Sequence, residues 1–273
     1  MTTLVTGARG AVATELIALL RRRGLPVRPA SRQPADPSIA TCDLSDPATF
    51  PAALAGVTSV FLYAEPSHID AFVKEATAAG VEHIVLLSSS SVLGPDAQAS
   101  PLAKSHLDVE RAVTAAAVRS TLLRPGSFAG NALAWSWPVK AGNPVSLPYP
   151  NSSNDPIHEA DIAEAAAVVL ADPALAGRPY WLTGPESITF AEQIGILSQV
   201  TGRDITIKHV TREEWKAEMA DYIPESFANP LLDWWQSSDG VPSELTTDLE
   251  RLIGRPGRTF ATWAADHVSD FTG

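Results

Sequence analysis

Two glycines near the amino terminus are the first residues whose spacing points to chemistry. Gly7 and Gly10 lie in the stretch LVTGARGAVA, Leu4 to Ala13, where an apolar run leads through a turn into a helix. Glycines there leave space for a bound group, and the free N–H groups and dipole of the helix favour an anion. The spacing G-x-x-G-x-x-A predicts a site for a dinucleotide pyrophosphate. The alternative is a strand, turn and helix that need glycine only for the backbone.

The end of the next predicted strand bears on which dinucleotide would bind. Val27 to Ala30 is followed by Ser31 and Arg32, where an NAD site usually has an Asp or Glu for the ribose hydroxyls. A guanidinium favours a 2′-phosphate by its charge and by its two-pronged donor geometry, and Arg9 could reach the same group. We therefore predict NADP(H). Asp36 competes for Arg32, and the alternative is that both arginines are solvated loop residues.

Two further strand ends carry polar side chains. Asp43 and Leu44 follow a predicted strand, Ile39 to Cys42, and an acid there either accepts a bond from an adenine amino group or caps the turn. Ser88 follows the predicted strand His83 to Leu87, at an edge where ligands of open α/β sheets bind. Its hydroxyl either positions a substrate carbonyl or caps the strand end.

A predicted helix, Pro101 to Ala117, carries three residues with ionisable side chains. Lys104, His106 and Glu110 lie on it, and His106 and Glu110 share a face one turn apart. Either Lys104 or His106 could donate a proton or hold a ribose. The alternative for His106 is structural, with the ring bonded to Glu110 or to a loop carbonyl.

The elements that must position these residues alternate between strand and helix up to Leu123. Strands that are apolar on both faces indicate a parallel sheet covered by helices. After Leu123 an irregular segment rich in tryptophan and proline leads to further helices and strands, including a helix opened by a capping box at Thr211. We predict an α/β fold, a Rossmann-like doubly wound parallel sheet with a smaller mixed C-terminal lobe. We expect residues 1–130 to form the NADP-binding domain and residues 131–273 to form mainly a substrate-binding lobe, with some segments returning to the sheet.

Composition and charge limit the possible functions. The 273 residues are 45% hydrophobic and 19% charged, which is typical of a globular protein. A formal net charge of −11 argues against a nucleic acid partner, because such surfaces need clustered Lys and Arg. The single cysteine, Cys42, excludes an intramolecular disulfide, and no zinc-site spacing is present, so we predict no metal.

The strand that begins directly after Met1 leaves no room for a signal peptide, and no apolar run approaches the length of a membrane span. We therefore expect a cytoplasmic protein without a membrane partner. We expect it to act on a small molecule, either aromatic or cyclic, as a monomer or homodimer.

Eight short stretches, taken in order and at their intervals, resemble the atypical short-chain dehydrogenase/reductases of the NmrA-like group, which includes quinone reductases and ergot-alkaloid-type iminium reductases. They run from residue 4 to residue 268 and read LVTGARGAVA, VRPASRQP, CDLSD, HIVLLSSSSV, HLDVERAV, STLLRPGSFAGN, DPIHEADIAEAAAVVL and GRTFATWAADHV. The resemblance implies a Rossmann domain that binds NADP(H), with a smaller lobe closing over the nicotinamide end.

The residues and the resemblance together give a set of candidate site residues. The predicted cofactor-binding residues are Gly7, Ala8, Arg9, Gly10, Ala11, Val12, Ser31, Arg32, Asp43, Leu44, Tyr63, Ser88, Lys104, Pro125 and Phe128. The predicted catalytic residues are Ser88, Lys104 and His106.

The resemblance also exposes a departure. Carbonyl-reducing short-chain dehydrogenases generally use a Tyr-x-x-x-Lys pair, in which lysine lowers the pKa of the tyrosine. None of the four tyrosines here, Tyr63, Tyr149, Tyr180 and Tyr222, is followed by lysine four residues later. Quinones, electron-poor alkenes and iminium ions need no strong acid when they accept hydride, so the protein mainly supplies geometry.

The leading hypothesis is an NAD(P)H-dependent reductase of a small conjugated or cyclic acceptor of quinone, enone or iminium type. The alternatives are a redox-silent NADP-binding sensor or a non-redox isomerase or cyclase on the same fold. The aromatic residues Phe128, Trp135, Trp137 and the pair Trp234 and Trp235 either form a flat apolar pocket or pack in the core or an oligomer contact.

Overall fold

The computed structural model describes residues 2–34 and 36–272, and the chain divides into two compact units. Unit 1 consists of Met1–Pro125, Glu159–Leu182 and Thr247–Arg255. Unit 2 consists of Gly126–His158, Thr183–Thr246 and Pro256–Gly273. Each unit is therefore assembled from three separate stretches of chain.

Strands and helices alternate through unit 1, and unit 2 is richer in helix. The strands are β1 Thr3–Val5, β2 Val27–Ser31, β3 Ala40–Thr41, β4 Ser59–Tyr63, β5 His83–Leu87, β6 Arg119–Pro125, β7 Val145–Leu147, β8 Ser153–Asn154, β9 Pro179–Leu182, β10 Ile188–Thr189 and β11 Ile207–His209. The helices are α1 Ala11–Arg22, α2 Phe50–Leu54, α3 Ile69–Ala78, α4 Pro101–Ala115, α5 Ser136–Lys140, α6 Glu159–Ala171, α7 Phe190–Thr201, α8 Arg212–Met219, α9 Glu225–Ser237, α10 Asp248–Ile253, α11 Phe260–Asp266 and α12 Ser269–Thr272. Within residues 2–34 and 36–272, none of these helices has the length and apolar character that a membrane span requires.

The sheet of unit 1 has seven strands in the order β3-β2-β1-β4-β5-β6-β9. Every neighbouring pair in it is parallel. The chain winds from β1 toward β3 and then returns to continue from β4 toward β9. This confirms the predicted doubly wound parallel sheet. Strands β4 and β5 are buried over nearly their whole length, as expected where helices cover both faces.

Alternation along β4 assigns its side chains to the two faces of the sheet. Val60 and Leu62 belong to a hydrophobic cluster that also contains Phe50 of α2 and Phe72 of α3. Because successive side chains of a strand point to opposite faces, Phe61 and Tyr63 project to the other side. Helices α1 and α6 pack against each other outside that cluster. The last residue of β4, Tyr63, is therefore aimed away from the α2 and α3 side.

The segment after β3 starts differently from a regular helix. Asp46 accepts a hydrogen bond from the Ala48 N–H and caps a short 3-10 turn, Pro47–Thr49, which runs directly into α2. Two prolines explain the short elements, because proline fits the first turn of a helix but lacks a donor for its interior. From the sequence alone, Asp46 and Pro47 predict the cap and first turn of a helix from Asp46 to Ala55. The cap is confirmed, and the regular helix is shorter than predicted.

Unit 2 is built around aromatic side chains and two small sheets. Strand β7 pairs with β11 in parallel, and β8 pairs with β10 in antiparallel fashion. Helices α7 and α8 both begin with capping boxes, at Thr189 and Thr211, and the second confirms the sequence prediction. These caps satisfy N–H groups that a helix leaves unpaired at its start.

Two glycines of unit 2 offer a matched test of packing. A Cβ at Gly184 would lie 2.1 Å from the Pro156 carbonyl oxygen, whereas a Cβ at Gly195, inside α7, has no atom within 4 Å. We expect Gly184→Ala to destabilise the protein by about 1 to 3 kcal/mol through overpacking. Gly195→Ala should stabilise it by roughly 0.5 to 1 kcal/mol, because alanine loses less backbone entropy in a helix. Thermal unfolding of both variants measures the difference, and equal melting temperatures would contradict the packing at Gly184.

Candidate functional site

The glycine turn of unit 1 leaves the beginning of α1 without a cap. Gly7 has a φ of 60°, in the left-handed region that favours glycine, and its carbonyl accepts the Gly10 N–H at 2.8 Å. Gly10 precedes the first turn of α1 and offers no side-chain cap. The N–H groups of the first turn have no acceptor within a helix, so this end of α1 can bind an anion.

Tyr63 lies against this turn. A Cβ on Gly7 would lie 2.9 Å from Cδ2 of the Tyr63 ring, and a Cβ on Gly10 would lie 2.6 Å from the Tyr63 hydroxyl oxygen. Real Cβ atoms essentially never come this close, so both glycines are required by their contact with the ring. The structure thus places Tyr63, one of the predicted cofactor-binding residues, beside the glycine turn.

Among the other residues of the turn and of the first turn of α1, some are bonded or buried and others are exposed. The Ala8 N–H is bonded to the Ala30 carbonyl at 2.9 Å, which ties the turn to the end of β2. Val12 is buried in the core, whereas Arg9 and Ala11 are exposed. Arg9 and Ala11, like Gly7, are therefore residues of this stretch that solvent or a ligand reaches.

The ends of β2 and β3 carry a hydroxyl, a guanidinium and a carboxylate. The Ser31 hydroxyl is buried and has no hydrogen-bond partner among residues 2–34 and 36–272. The Ser45 hydroxyl and N–H, and then the Arg32 guanidinium, hold the pKa of Asp43 below its ordinary value against a small opposing effect of burial. Arg32 therefore lies near Asp43. The exposed Arg32 side chain is also free to face a 2′-phosphate.

Asp36 and Leu44 have local roles in the same region. The Asp36 carboxylate accepts the Ser38 N–H at 2.7 Å, and that contact lowers its pKa. Leu44 is partly buried and packs against the hydrophobic cluster of α2 and α3. The Asp36 carboxylate thus already accepts a backbone hydrogen bond, whether or not it also pairs with Arg32.

Ser88 belongs to a buried network at the ends of β5 and β6. Its hydroxyl donates to Glu110 Oε1 at 2.6 Å. Arg124 donates to both oxygens of the same carboxylate, from Nε at 2.9 Å and from Nη2 at 2.6 Å. Glu110 is buried and Arg124 nearly so, and such a pair is stable only when its hydrogen bonds are satisfied, as they are here. The proton of Ser88 is therefore directed to Glu110.

Lys104 and His106 have different surroundings on α4. Lys104 forms an exposed ion pair with Asp108 one turn further along the helix. His106 Nδ1 is buried and unpartnered within the described part of the chain. Burial lowers the pKa of His106, against an opposing effect of Glu110, so a neutral ring is favoured. No hydrogen bond in residues 2–34 and 36–272 joins Ser88, Lys104 and His106 to one another.

The residues after β6 carry a carboxylate that the sequence did not single out. Pro125 ends β6 and is buried, and the segment then enters unit 2. There Asp155 Oδ1 accepts the Ser127 N–H at 3.2 Å, and a Cβ on Gly126 would lie 1.9 Å from Asp155 Oδ2. Burial raises the pKa of Asp155 to about 6, against the lowering effect of the Ser127 N–H. The sequence marks Asp155 only indirectly, through the dipeptide Gly126-Ser127. That dipeptide becomes informative only when the fold places Asp155 beside it.

The aromatic residues of unit 2 separate into core and surface. Trp135 packs edge-on against Phe190 at 5.8 Å between ring centroids, Phe190 packs against Trp235 at 5.1 Å, and Trp235 packs against Trp215 at 5.1 Å. For Trp135 and Trp235 the packing alternative therefore holds. Trp137 is 74% exposed and Trp234 is 42% exposed. Phe128 is half-buried and forms a bridge with Ile157.

The fold and the turn together define a class of protein. A parallel sheet whose first strand leads through a glycine turn into an uncapped helix is the Rossmann type of dinucleotide-binding fold. The unpartnered hydroxyl of Ser31 and the uncapped first turn of α1 fit such a ligand. Residues 2–34 and 36–272 contain no cluster of three side chains suited to a metal ion.

Comparison with known proteins identifies the family. The chain belongs to the NAD(P)H-binding family, whose model matches residues 7–173 and begins at the first glycine of the turn. It is 32% identical to the (4-alkanoyl-5-oxo-2,5-dihydrofuran-3-yl)methyl phosphate reductase of Streptomyces griseus, over 98% of both chains. It is 28% identical to the NAD(P)H azoreductase of Xenophilus azovorans, also over 98% of both. The family resemblance predicted from the sequence is confirmed.

Solved structures share the same fold. The triphenylmethane reductase of Citrobacter sp. complexed with NADP(H) gives a TM-score of 0.81 at 24% identity, covering 97% of this chain and 99% of that one. The likeness extends over both units of the chain.

Asp155 predicts a pH dependence of stability. Its pKa rises from an ordinary 3.8 to about 6 in the folded protein, so the folded state binds this proton more tightly than the unfolded state. The stability that the protonated carboxyl contributes is complete below the unfolded pKa and is lost as pH rises through about 6. We expect wild type to lose on the order of 2 to 3 kcal/mol over this range relative to Asp155→Asn, which keeps an acceptor for the Ser127 N–H.

Urea unfolding of wild type and Asp155→Asn at a series of pH values measures this difference. Asp204→Asn, which changes an exposed carboxylate of the same unit, serves as the matched control and should follow wild type. Parallel stability curves for wild type and Asp155→Asn would show that the carboxyl is not held in the protonated form.

Proposed function

We propose that the protein is an NADPH-dependent reductase that transfers hydride to a small conjugated or cyclic acceptor. The observation that carries the proposal is the uncapped α1 behind Gly7 and Gly10, at the start of the segment that matches the NAD(P)H-binding family. The two relatives described above are named as reductases, one of a ring compound bearing oxo and alkanoyl groups and one of azo compounds. Both names are consistent with a conjugated acceptor.

Different residues of unit 1 would hold different parts of the cofactor. The first turn of α1 suits the pyrophosphate, because its N–H groups are donors and its dipole end is positive. Arg32 and Arg9 suit a 2′-phosphate, and Ser31 offers its unpartnered hydroxyl to the adjacent ribose. Asp43 suits the adenine amino group as an acceptor. When bound, the cofactor supplies the hydride.

The surroundings of the candidate catalytic residues favour an acceptor that needs no strong acid. The Ser88 proton is directed to Glu110, and Lys104 is exposed and paired with Asp108. The pKa of His106 is lowered by burial, and its Nδ1 has no hydrogen-bond partner in the described residues. A quinone, enone or iminium acceptor can take its proton from water, so the protein contributes orientation and the exclusion of solvent.

Unit 2 is the part of the chain to which we assign the substrate, together with Phe128 at its beginning. Its exposed Trp137 and Trp234 present flat aromatic rings of the kind that suit contact with an aromatic or cyclic ligand. We further propose a cytoplasmic protein that acts as a monomer or homodimer and binds no nucleic acid, in keeping with its net charge of −11.

A panel of acceptors tests the reaction. We expect steady loss of NADPH absorbance with a naphthoquinone, a cyclic enone, a cyclic iminium ion or an azo dye, and slower loss with simple aldehydes, whose reduction needs a strong acid. The corresponding product should form in equal amount. Tight NADPH binding without oxidation by any acceptor would contradict the reductase and favour a redox-silent sensor, which should bind the oxidised and reduced cofactors with similar affinity.

Substitution of Arg32 tests the preference for NADP(H). Arg32→Glu should weaken NADPH binding by about tenfold to a hundredfold, because a charged bidentate contact contributes roughly 1.5 to 3 kcal/mol. NADH binding should weaken much less. Arg23→Glu, an equal change of charge on an exposed residue of the same unit, is the control and should leave the NADPH to NADH affinity ratio as in wild type. An unchanged ratio in Arg32→Glu would show that Arg32 does not bind the 2′-phosphate.

A further inference from the structure

Tyr63 fills the space that the two glycines of the turn leave open. The nearest atoms to a Cβ at Gly7 and to a Cβ at Gly10 both belong to the Tyr63 side chain. The ring lies along Gly7, and its hydroxyl oxygen lies at Gly10, directly before the first residue of α1. The phenol is therefore part of the wall of the anion site at the start of α1.

The Tyr63 backbone is held firmly in this position. Its N–H donates to Thr6 Oγ1 at 3.0 Å, and the Thr6 hydroxyl donates to the Phe61 carbonyl at 3.2 Å. The Tyr63 ring also packs edge-on against Phe61, with 5.8 Å between centroids. These contacts fix the side chain before any ligand arrives, which lowers the entropy lost on binding.

The hydrogen bonds around the phenol leave one donor for a ligand. The Ala13 N–H, in the first turn of α1, acts as a donor to the phenol oxygen. Tyrosine has a single O–H, and no residue in the described part of the chain accepts it. Ala11 and Val12 are the other first-turn residues, and their N–H groups have no acceptor within the helix. The phenol oxygen and these two N–H groups all lie at the start of α1.

We infer that Tyr63 is a pyrophosphate-binding residue, whose phenol donates its O–H to a phosphate oxygen of the dinucleotide bound at the start of α1. The inference rests on the proposed function for the identity of the ligand. In this arrangement the Ala13 N–H orients the phenol. The N–H groups of Ala11 and Val12 remain available to the phosphate.

The protonation state of Tyr63 agrees with a donor role. Burial, and to a smaller extent the Glu159 carboxylate, raise the pKa of Tyr63 above its ordinary value, while the Ala13 N–H lowers it. The phenol therefore keeps its proton at neutral pH. A deprotonated oxygen would repel a phosphate, whereas a neutral phenol donates to it.

Tyr63→Phe is the direct test, because it removes the O–H and keeps the ring that fills the turn. NADPH and ADP-ribose, which contain the pyrophosphate, should bind about tenfold more weakly or worse, as expected for a hydrogen bond to a charged group. Adenosine 2′-monophosphate, which lacks the pyrophosphate, should bind as to wild type. Isothermal titration of the three ligands gives these affinities without reliance on turnover.

Two further variants control for structure. Tyr222→Phe changes a 79% exposed phenol in unit 2 and should bind all three ligands like wild type. Tyr63→Leu lacks both the ring and the O–H, and it should lose at least as much affinity for ADP-ribose as Tyr63→Phe. Melting temperatures of all variants identify any loss of affinity that reflects unfolding.

The outcomes separate the inference from the proposed function. Unchanged ADP-ribose affinity in a folded Tyr63→Phe would overturn the inference, and tighter binding would mean that the phenol competes with the phosphate for the start of α1. Wild type that binds ADP-ribose through Tyr63 but reduces no acceptor would support the inference and contradict the reductase. Wild type that binds neither NADPH nor ADP-ribose would overturn both.

Discussion

The absence of a side-chain cap at the start of α1 is the constraint on which the site depends. Helices α7 and α8 satisfy their first N–H groups with Thr189 and Thr211, and reciprocal glutamates complete both boxes. At α1 the corresponding residue is Gly10, which has no side chain to offer. Donors left unpaired in this way cost free energy in the isolated fold, and that cost is recovered when an anion binds. A serine or threonine at this position would offer a cap, but its Cβ would lie 2.6 Å from the Tyr63 hydroxyl oxygen, so the contact with Tyr63 keeps the position a glycine.

The neighbouring strand ends are organised around a different interaction. Glu110 receives hydrogen bonds from Ser88 and from both donor atoms of Arg124, which joins α4 to the carboxyl ends of β5 and β6. A carboxylate with these partners serves the structure, and removing Arg124 would leave it buried without its counter-charge. The carboxyl ends of β5 and β6 are thus joined by a structural network in which Glu110 is tied to Ser88 and Arg124 and is not a free acid. This is why reactions that proceed without a strong acid suit the protein.

The sequence predicts the fold better than the site, for a physical reason. Strand patterns, caps at Asp46 and Thr211 and the glycine spacing are local signals, and the structure bears them out. The contact of Tyr63 with Gly10 and that of Asp155 with Gly126 join residues far apart in the chain, so they depend on tertiary packing. Sequence alone includes Tyr63 among the candidates without showing how it acts, and it leaves Asp155 out.

The charge of the protein makes the local arrangement of donors decisive. With a net charge of −11, the protein repels an anionic dinucleotide at long range. Salt screens this repulsion beyond about 8 Å at physiological ionic strength, so short-range contacts determine affinity. The positive groups of the proposed cofactor site are the dipole end of α1 and the guanidinium groups of Arg9 and Arg32. Asp43 lies near Arg32 and keeps its negative charge, because its pKa is lowered. In the proposed site, a carboxylate for adenine beside a guanidinium for a 2′-phosphate would distinguish NADP(H) from other anions by the positions of its groups, which an overall positive surface would not do.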